Sequence, residues 1–332
     1  MQSIAELAGV SAMTVSRSLK NDTSVSQKTR DRVLDVVRRT GYVPDATARV
    51  FASGRSGFVA VLVPSINNSN FADTTRGMTR ALEAAGLQIL LGDTGYSIDR
   101  EEQLISTLLQ RRPEAIVLTG GAHTQATRQM LAGIETPIVE TWDLPAEPLG
   151  HVVGFSNEVA GATMTRYLIE RGYRRIGFIG GTTTQDTRGS ERRSGYVRAI
   201  AEAGLPGPRV VDFGSPPVSM DQGGAALGKL LELWPDTDAI VCVSDISAYA
   251  VLMECHRRGI KVPQDLAIGG FGDFDVGRSA WPRLTTIAVD CVDIGAQTAK
   301  IVLDALEARS RGHRLSGTTV SIDLKLVIRE TS

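Results

Sequence analysis

The stretch G-V-S-A-M-T-V-S-R at Gly9 to Arg17 decides how the chain begins to fold. Before it, Ser3 with Glu6 three places on has the form of a capping box, and Ile4, Leu7 and Ala8 form one apolar stripe. Gly9 then supplies the left-handed residue that stops a helix. Ser11 predicts the cap of a second helix, on which Val15 and Leu19 point one way while Ala12, Met13, Ser16, Arg17 and Lys20 share the opposite face. That face suits a DNA major groove. Arg17 can fork onto a guanine edge or hold a phosphate, Ala12 and Met13 offer apolar contact to thymine methyls, and Thr14 and Ser16 can donate to phosphate oxygens. An ordinary helical hairpin with a solvated face accounts for the same residues. The hairpin alone leaves both readings open, because two helices around a tight turn are a common packing solution.

Working outward, Val25 and Ser26 open a third amphipathic helix with Val33, Val36 and Val37 inward, and Gly41 ends it before Tyr42 and Pro44. Three short helices around a Val/Leu/Ile core make a domain too small to do much except bind. The runs A-G-V-S-A-M-T-V-S-R (Ala8 to Arg17), V-S-Q-K-T-R (Val25 to Arg30) and G-Y-V-P (Gly41 to Pro44) resemble, almost without gaps, the headpiece of the lactose-repressor (LacI/GalR) family. The resemblance implies that Ala12, Met13 and Arg17 read bases. It also turns Asp45 to Ser53, by itself only a linker too short for a stable isolated helix, into a hinge helix that orders on the operator. There Ala48 fits the close approach of two helices, and Phe51 stands at the wedge position where leucine is usual. Asp45 departs from the asparagine of many relatives. The DNA-facing set is then Ser11, Ala12, Met13, Thr14, Ser16, Arg17, Lys20, Ser26, Thr29, Ala48 and Phe51.

Charge is divided along the chain in the same sense. Residues 1–55 hold nine Lys/Arg against five acids, a balance of +4, which leaves −5 on the remainder of a chain whose net charge is −1. A basic head on an acidic body is what phosphate contact confined to the head requires. No apolar run approaches a membrane span and no apolar signal-peptide core precedes the headpiece, so a cytoplasmic protein is expected. Cys242, Cys255 and Cys291 are odd in number and widely spaced, which argues against a disulfide framework. His123, His151, His256 and His313 have no metal-ligand spacing, and neither a metal nor a cofactor is expected.

From Phe58 onward apolar runs at 58–63, 88–91, 115–118, 138–139 and 152–155 alternate with helical stretches near 72–86, 99–112 and 124–133. A second series follows at 176–179, 210–212, 239–243 and 266–269, with helices near 157–172, 190–204, 221–233 and 247–259. Alternation of this kind predicts an α/β fold with parallel sheets covered on both faces, and two series predict two Rossmann-like lobes behind an all-α helix-turn-helix headpiece. The expected divisions are a headpiece at 1–44, a hinge and linker at 45–56, and an effector-binding and dimerisation core at 57–332. Similarity to the family, whose lobes are of the periplasmic-binding-protein type, implies three crossings between them. Lobe one then takes about 57–155 and 291–318, and lobe two about 156–288 and 319–332.

Ligands of open α/β sheets lie beyond the carboxyl ends of the strands, so the residues just after strands are the candidates for a cleft between lobes. These are Pro64, Ser65, Asn68 and Phe71 after the first strand, Thr119 and His123 after the third, and Glu140 and Trp142 after the fourth. In the second lobe they are Arg188 and Arg192 near a helix start, Ser244 and Asp245 after Val243, and Asp273 after Gly269 to Gly272. The effector set is Ser65, Asn68, Phe71, Glu140, Trp142, Arg192, Ser244, Asp245 and Asp273. Each has a plainer reading: Ser65 and Asn68 as caps, Asp245 as an N-cap. Arg192 stands out because a buried arginine with no partner is expensive, so one aimed into a cleft expects a polyol or an anion.

The body shares the resemblance. G-Y-R-R-I-G-F-I-G-G (Gly172 to Gly181), S-D-I-S-A-Y (Ser244 to Tyr249), R-G-I-K-V-P-Q-D-L-A-I-G-G-F-G-D (Arg258 to Asp273) and P-R-L-T-T-I (Pro282 to Ile287) look like the family's effector-core signatures. P-S-I-N-N-S-N-F-A (Pro64 to Ala72), V-G-F-S-N (Val153 to Asn157) and M-E-C-H-R-R-G (Met253 to Gly259) are most similar to gluconate-type repressors. Ser244, Gly272, Gly120 and Gly121 depart from those relatives at positions that bear on the effector. The expectation is a DNA-binding transcriptional regulator, a homodimer on a pseudo-palindromic operator. It would repress a carbohydrate or sugar-acid operon under allosteric control by a small sugar-like effector, gluconate-like in the first place. The rivals are a periplasmic-type sugar-binding protein or an enzyme on the same two-lobed fold. Against an enzyme, the chain has no G-x-x-x-x-G-K-[ST] loop and no G-x-S-x-G elbow, and Gly180 and Gly181 lack dinucleotide-fingerprint spacing.

Overall fold

Gly9 and Gly41 close the first and third helices in left-handed backbone, each at φ 62°. The computed structural model describes all residues except 21, 44–54, 182–184 and 215–218, so the hinge expected at 45–53, with Ala48 and Phe51, lies outside the described residues. The chain divides into two compact units, Met1–Ser56 and Gly57–Ser332.

In the first unit α1 (Gln2–Ala8), α2 (Ala12–Leu19) and α3 (Gln27–Thr40) enclose Ile4, Ala5, Ala8, Val15, Val33 and Val36. Burying each branched side chain contributes roughly 1.5–3 kcal/mol toward packing the three helices. Ser11 and Ser26 cap α2 and α3 by accepting the Thr14 and Thr29 N–H groups at 3.1 and 3.4 Å. The capping box expected at Ser3 and Glu6 is corrected: α1 starts at Gln2 after Met1 with no side-chain cap, so Ser3 already lies inside the first turn. The stripe shifts with it. Ile4, Ala5 and Ala8 face inward, and Leu7 is 65% exposed.

The second unit holds two six-stranded sheets. The first runs in the order β11-β5-β4-β3-β1-β2, wholly parallel, and comprises β1 (Phe58–Val63), β2 (Gln88–Asp93), β3 (Ala115–Thr119), β4 (Ile138–Thr141), β5 (His151–Gly154) and β11 (Thr319–Ser321). The second runs β12-β10-β9-β8-β6-β7, from β6 (Ile176–Ile179), β7 (Arg209–Val211), β8 (Ala239–Cys242), β9 (Ala267–Gly272), β10 (Thr285–Val289) and β12 (Leu324–Val327). Only β12 is antiparallel to its neighbour. Along β1, Val59, Val61 and Val63 pack into one layer and Ala60 and Leu62 into the other, the pattern of a strand buried on both faces.

Lobe one is covered by α4 (Ser69–Ala84), α5 (Ile98–Leu109), α6 (Gln125–Ala132) and α12 (Cys291–Ser310). Lobe two carries α7 (Asn157–Glu170), α8 (Thr187–Glu202), α9 (Gly223–Leu233), α10 (Asp245–Arg258) and the short α11 (Asp275–Ser279). The boundary expected at residue 319 is corrected: Thr319–Ser321 pairs in parallel with β5 of lobe one, and only Leu324–Val327 joins lobe two beside β10. One short stretch with alternating apolar and polar residues thus supplies an edge strand to each sheet, and the third crossing falls between them.

Two glycines set the seat of α8. A methyl on Gly161 of α7 would run into the Arg192 carbonyl, and one on Gly195 of α8 into the Glu158 carbonyl. The backbones of α7 and α8 therefore approach closely where Arg192 leaves its helix.

Candidate nucleic-acid interface and effector cleft

On α2 the side chains of Met13, Arg17 and Lys20 are exposed, Met13 by 63%, while Val15 is fully buried beneath them. A methionine with Arg17 and Lys20 on the same exposed face matches a major groove, which offers thymine methyls and phosphates together. Ser11 and Thr14 also bond to each other at 2.9 Å, as Ser26 and Thr29 do at 3.0 Å, so these four hydroxyls are held at two helix N-termini where phosphate oxygens bind readily. Ala12 and Ser16 are half-buried beside them.

In the second unit the sheet orders reverse between β1 and β3 and between β6 and β8, and segments at the carboxyl ends of both sheets, those after β1, β6 and β8 chief among them, enclose a cavity of about 410 Å³. Ser65, Asn68, Phe71, Trp142, Arg192 and Ser244 of the sequence-derived set line it. Ser65 and Asn68 have turn duties as well, accepting the N–H groups of Asn67 and Asn70 at 3.2 and 3.0 Å. Ser244 caps α10 in a reciprocal box with Ser247. Phe71 and Trp142 meet edge to face at 5.2 Å, and the aromatic chain runs on through Phe155 to Phe271. Trp142 sits at φ 70° and donates its Nε1–H to Thr74 at 3.1 Å, which fixes its ring as the wall.

Arg192 is held from three sides. Its Nε donates to the Val243 carbonyl at 3.0 Å, its Nη1 to Asn157 Oδ1, and its guanidinium lies 4.3 Å from the Phe271 ring centre. Asn157 in turn donates to the Trp142 carbonyl at 3.1 Å, so the contact chain crosses from one lobe to the other. Burial lowers the Arg192 pKa from its ordinary value. Arg188, one turn earlier on α8, lies 5.5 Å from the Phe71 ring centre across the cleft. It is only 8% exposed, and among the described residues its Nη1 has no hydrogen-bond partner. Neither arginine forms an ion pair among the described residues.

Three members of the set lie elsewhere. Glu140 is fully buried below the cleft, 3.3 Å from His123 Nε2 and accepting the Leu149 N–H at 2.6 Å, while His123 Nδ1 lies 2.6 Å from Glu101. Burial alone would lower the His123 pKa, but hydrogen bonds to Glu101 and Glu140 carry it up to about 9. The imidazolium therefore stays charged at neutral pH as the centre of an internal clamp. Asp245 points inward from its helix start, accepting the Phe274 N–H at 2.8 Å and the Thr286 hydroxyl at 2.7 Å, and burial pushes its carboxyl up to about 6. It fixes the loop after β9. Asp273 pairs with Arg329 at 2.7 Å and Arg278 at 3.4 Å, away from the cavity.

The cavity takes up Arg188, which the sequence also placed among the cleft-facing residues, and it uses residues the sequence reading did not name, chiefly Asn67, Asn70, Tyr96, Asp186 and Phe271. Tyr96 follows β2, a strand end that obeys the same carboxyl-edge rule as the other three. Asp186 caps α8, accepting the Gly189 N–H at 3.0 Å.

Comparison with known proteins agrees with this geometry. Residues 1–45 match the family of bacterial regulatory proteins, lacI family, and residues 165–332 match a periplasmic binding protein-like domain. The HTH-type transcriptional regulator GntR of Pseudomonas aeruginosa is 34% identical over 332 residues, covering 100% of this chain and 95% of that protein. A LacI family transcriptional regulator from Silicibacter pomeroyi has a solved structure 43% identical to the chain, with TM-score 0.78, over 83% of this chain and 98% of its own. A second LacI family protein of that organism is 31% identical with TM-score 0.88, over 99% and 97% of the two chains. With a DNA-binding head, a two-lobed effector body and full-length relatives named as regulators rather than enzymes, the chain belongs to the LacI family of DNA-binding transcriptional regulators.

Proposed function

We propose that this regulator represses a sugar-acid utilisation operon as a homodimer on a pseudo-palindromic operator, and that its effector is a polyhydroxy monocarboxylic acid of the gluconate type. The observation that carries the acid is the pair Arg188 and Arg192, two cations in one aromatic-walled cavity with no ion-pair partner among the described residues and one guanidinium nitrogen unbonded. A buried charge left in that state is expensive, and a carboxylate supplied from solution relieves it. Asn67, Asn68, Ser65 and Ser244 offer amide and hydroxyl groups for the hydroxyls of such an acid. The similarity of Pro64 to Ala72 to gluconate-type repressors points the same way.

Homodimerisation rests on exposed apolar groups at an edge strand of each lobe. Leu90 and Leu91 are 37% and 43% exposed on the edge strand β2, and Trp281 and Ile328 are 79% and 59% exposed at one end of the β10–β12 pair. Calorimetry of the full-length protein with gluconate, its keto relatives, ribose and galactose tests the ligand class. Gel retardation with promoter DNA, with and without the acid that binds, tests its effect on the operator complex. A neutral sugar binding tightly while every acid fails overturns the acid reading.

A further inference from the structure

Behind Arg188 the cleft continues into a second chamber of about 280 Å³. It shares Tyr96, Asp186 and Arg188 with the main cavity and ends against the first turn of α5. Gly120 and Ala122 keep its wall thin beside Arg188, whose unbonded Nη1 lies 3.7 Å from the point where a side chain on Gly120 would begin. Across the chamber, Ser97 takes the N–H groups of Arg100 and Glu101 through its hydroxyl and its carbonyl, leaving the amides of Ile98 and Asp99 without intrahelical partners. An oxyanion placed there meets a guanidinium on one side and the positive end of a three-turn helix on the other.

The remaining charges set a limit on what enters. Glu101 lines the chamber, but its carboxylate is bound by the charged His123. Asp99 and Asp186 line it too, and Arg188 is the only cation among its lining residues. Attraction to the Arg188 guanidinium and the helix end grows in proportion to a ligand's charge, whereas the cost of desolvating that charge grows as its square, and the two aspartates leave little surplus attraction to meet the larger cost of a dianion.

We propose that this side chamber is a subsite for one carboxylate group. The effector seats its acid end between Arg188 and the first turn of α5, its hydroxylated chain lies in the main cavity, and a phosphate at the same end is rejected. This rests on the acid-effector reading above and specifies which end of the ligand goes where.

Titration calorimetry with gluconate, sorbitol and sorbitol 1-phosphate separates the three cases, since these share one six-carbon polyol chain and differ in the charge at C1. Gluconate binds the native protein best. Ala122→Leu, which fills the chamber, weakens gluconate by about tenfold or more and leaves sorbitol unchanged. Asp99→Asn, at an exposed position that does not endanger folding, strengthens sorbitol 1-phosphate relative to gluconate by about threefold or more. Unchanged gluconate affinity in folded Ala122→Leu, sorbitol 1-phosphate matching gluconate on the native protein, or an unchanged ratio in Asp99→Asn overturns the subsite while the acid reading stands. Should Ala122→Leu fail to fold, the Asp99→Asn ratio decides alone. Failure of the native protein to bind gluconate or any other sugar acid overturns the acid reading itself.

Discussion

Arg188 and Arg192 stand one turn apart on α8 and differ in what holds them. Arg192 is braced by a carbonyl, an amide and a ring, so replacing it strips partners from Val243 and Asn157 and disturbs the inter-lobe contact as well as the ligand. Arg188 has a ring contact and an unbonded nitrogen. Arg188→Met is therefore expected to stabilise the ligand-free protein by about 1 kcal/mol while removing acid binding, a trade between stability and function. Urea unfolding of the empty variant beside calorimetry checks it, and a destabilised variant that still binds the acid contradicts it. His123 carries a second expectation at this scale. Its folded pKa of about 9 exceeds the ordinary 6.5, so the stability it contributes is fully present below 6.5 and is lost as pH rises through 9. The loss amounts to about 3 kcal/mol at most, and His123→Gln should flatten unfolding free energy across that window. The sequence placed Glu140 in the cleft because it follows a strand run, but β4 runs on to Thr141, and its alternation turns Glu140 down toward His123.

Elements were more legible than the directions of their side chains. Runs such as 58–63 and 176–179 coincide with β1 and β6, because a strand buried on both faces is a continuous apolar run bounded by turn residues. The tail at 319–326 misled for a reason of geometry. A short alternating segment does not say which of two sheets will pair with it, and here Thr319–Ser321 and Leu324–Val327 go to different ones. At the first helix the Ser-x-x-Glu spacing imitated a cap, but packing of Ile4, Ala5 and Ala8 against Val33 and Val36 starts the helix earlier. On α2 the pattern and the fold agree, with Arg17 exposed above a buried Val15. Arg17→Ala is expected to weaken specific operator binding by roughly 1–3 kcal/mol and to relax preference at one symmetric base position. A loss equal across all sequences, with a shallower salt dependence, would assign Arg17 to phosphate instead.

For the whole molecule, effector and operator act on one protein and are coupled by linkage. Whatever factor the effector imposes on operator affinity, the operator imposes on effector affinity. The two-lobed body suits this, since a ligand spanning Phe71 and Trp142 on one lobe and Arg192 and Phe271 on the other binds the closed arrangement better than an open one. Useful affinity for DNA needs two headpieces, because one recognition helix reads only a half-site. The surface offered for pairing has its largest exposed apolar group at Trp281, 79% exposed just before β10, with Ile328 following β12 at the same end of the sheet. No ordinary folding demand puts a tryptophan there. Trp281→Glu places a charge where desolvation is required for pairing and is expected to shift the protein to monomer at micromolar concentration, with thermal stability of the isolated body little changed. Acid binding should survive, because the cleft is built within one chain, while affinity for a full pseudo-palindromic site should fall toward that for a half-site. Light scattering and calorimetry on one preparation separate these effects. A Trp281→Glu protein that remains dimeric and still favours the full site would show that the pairing face lies elsewhere.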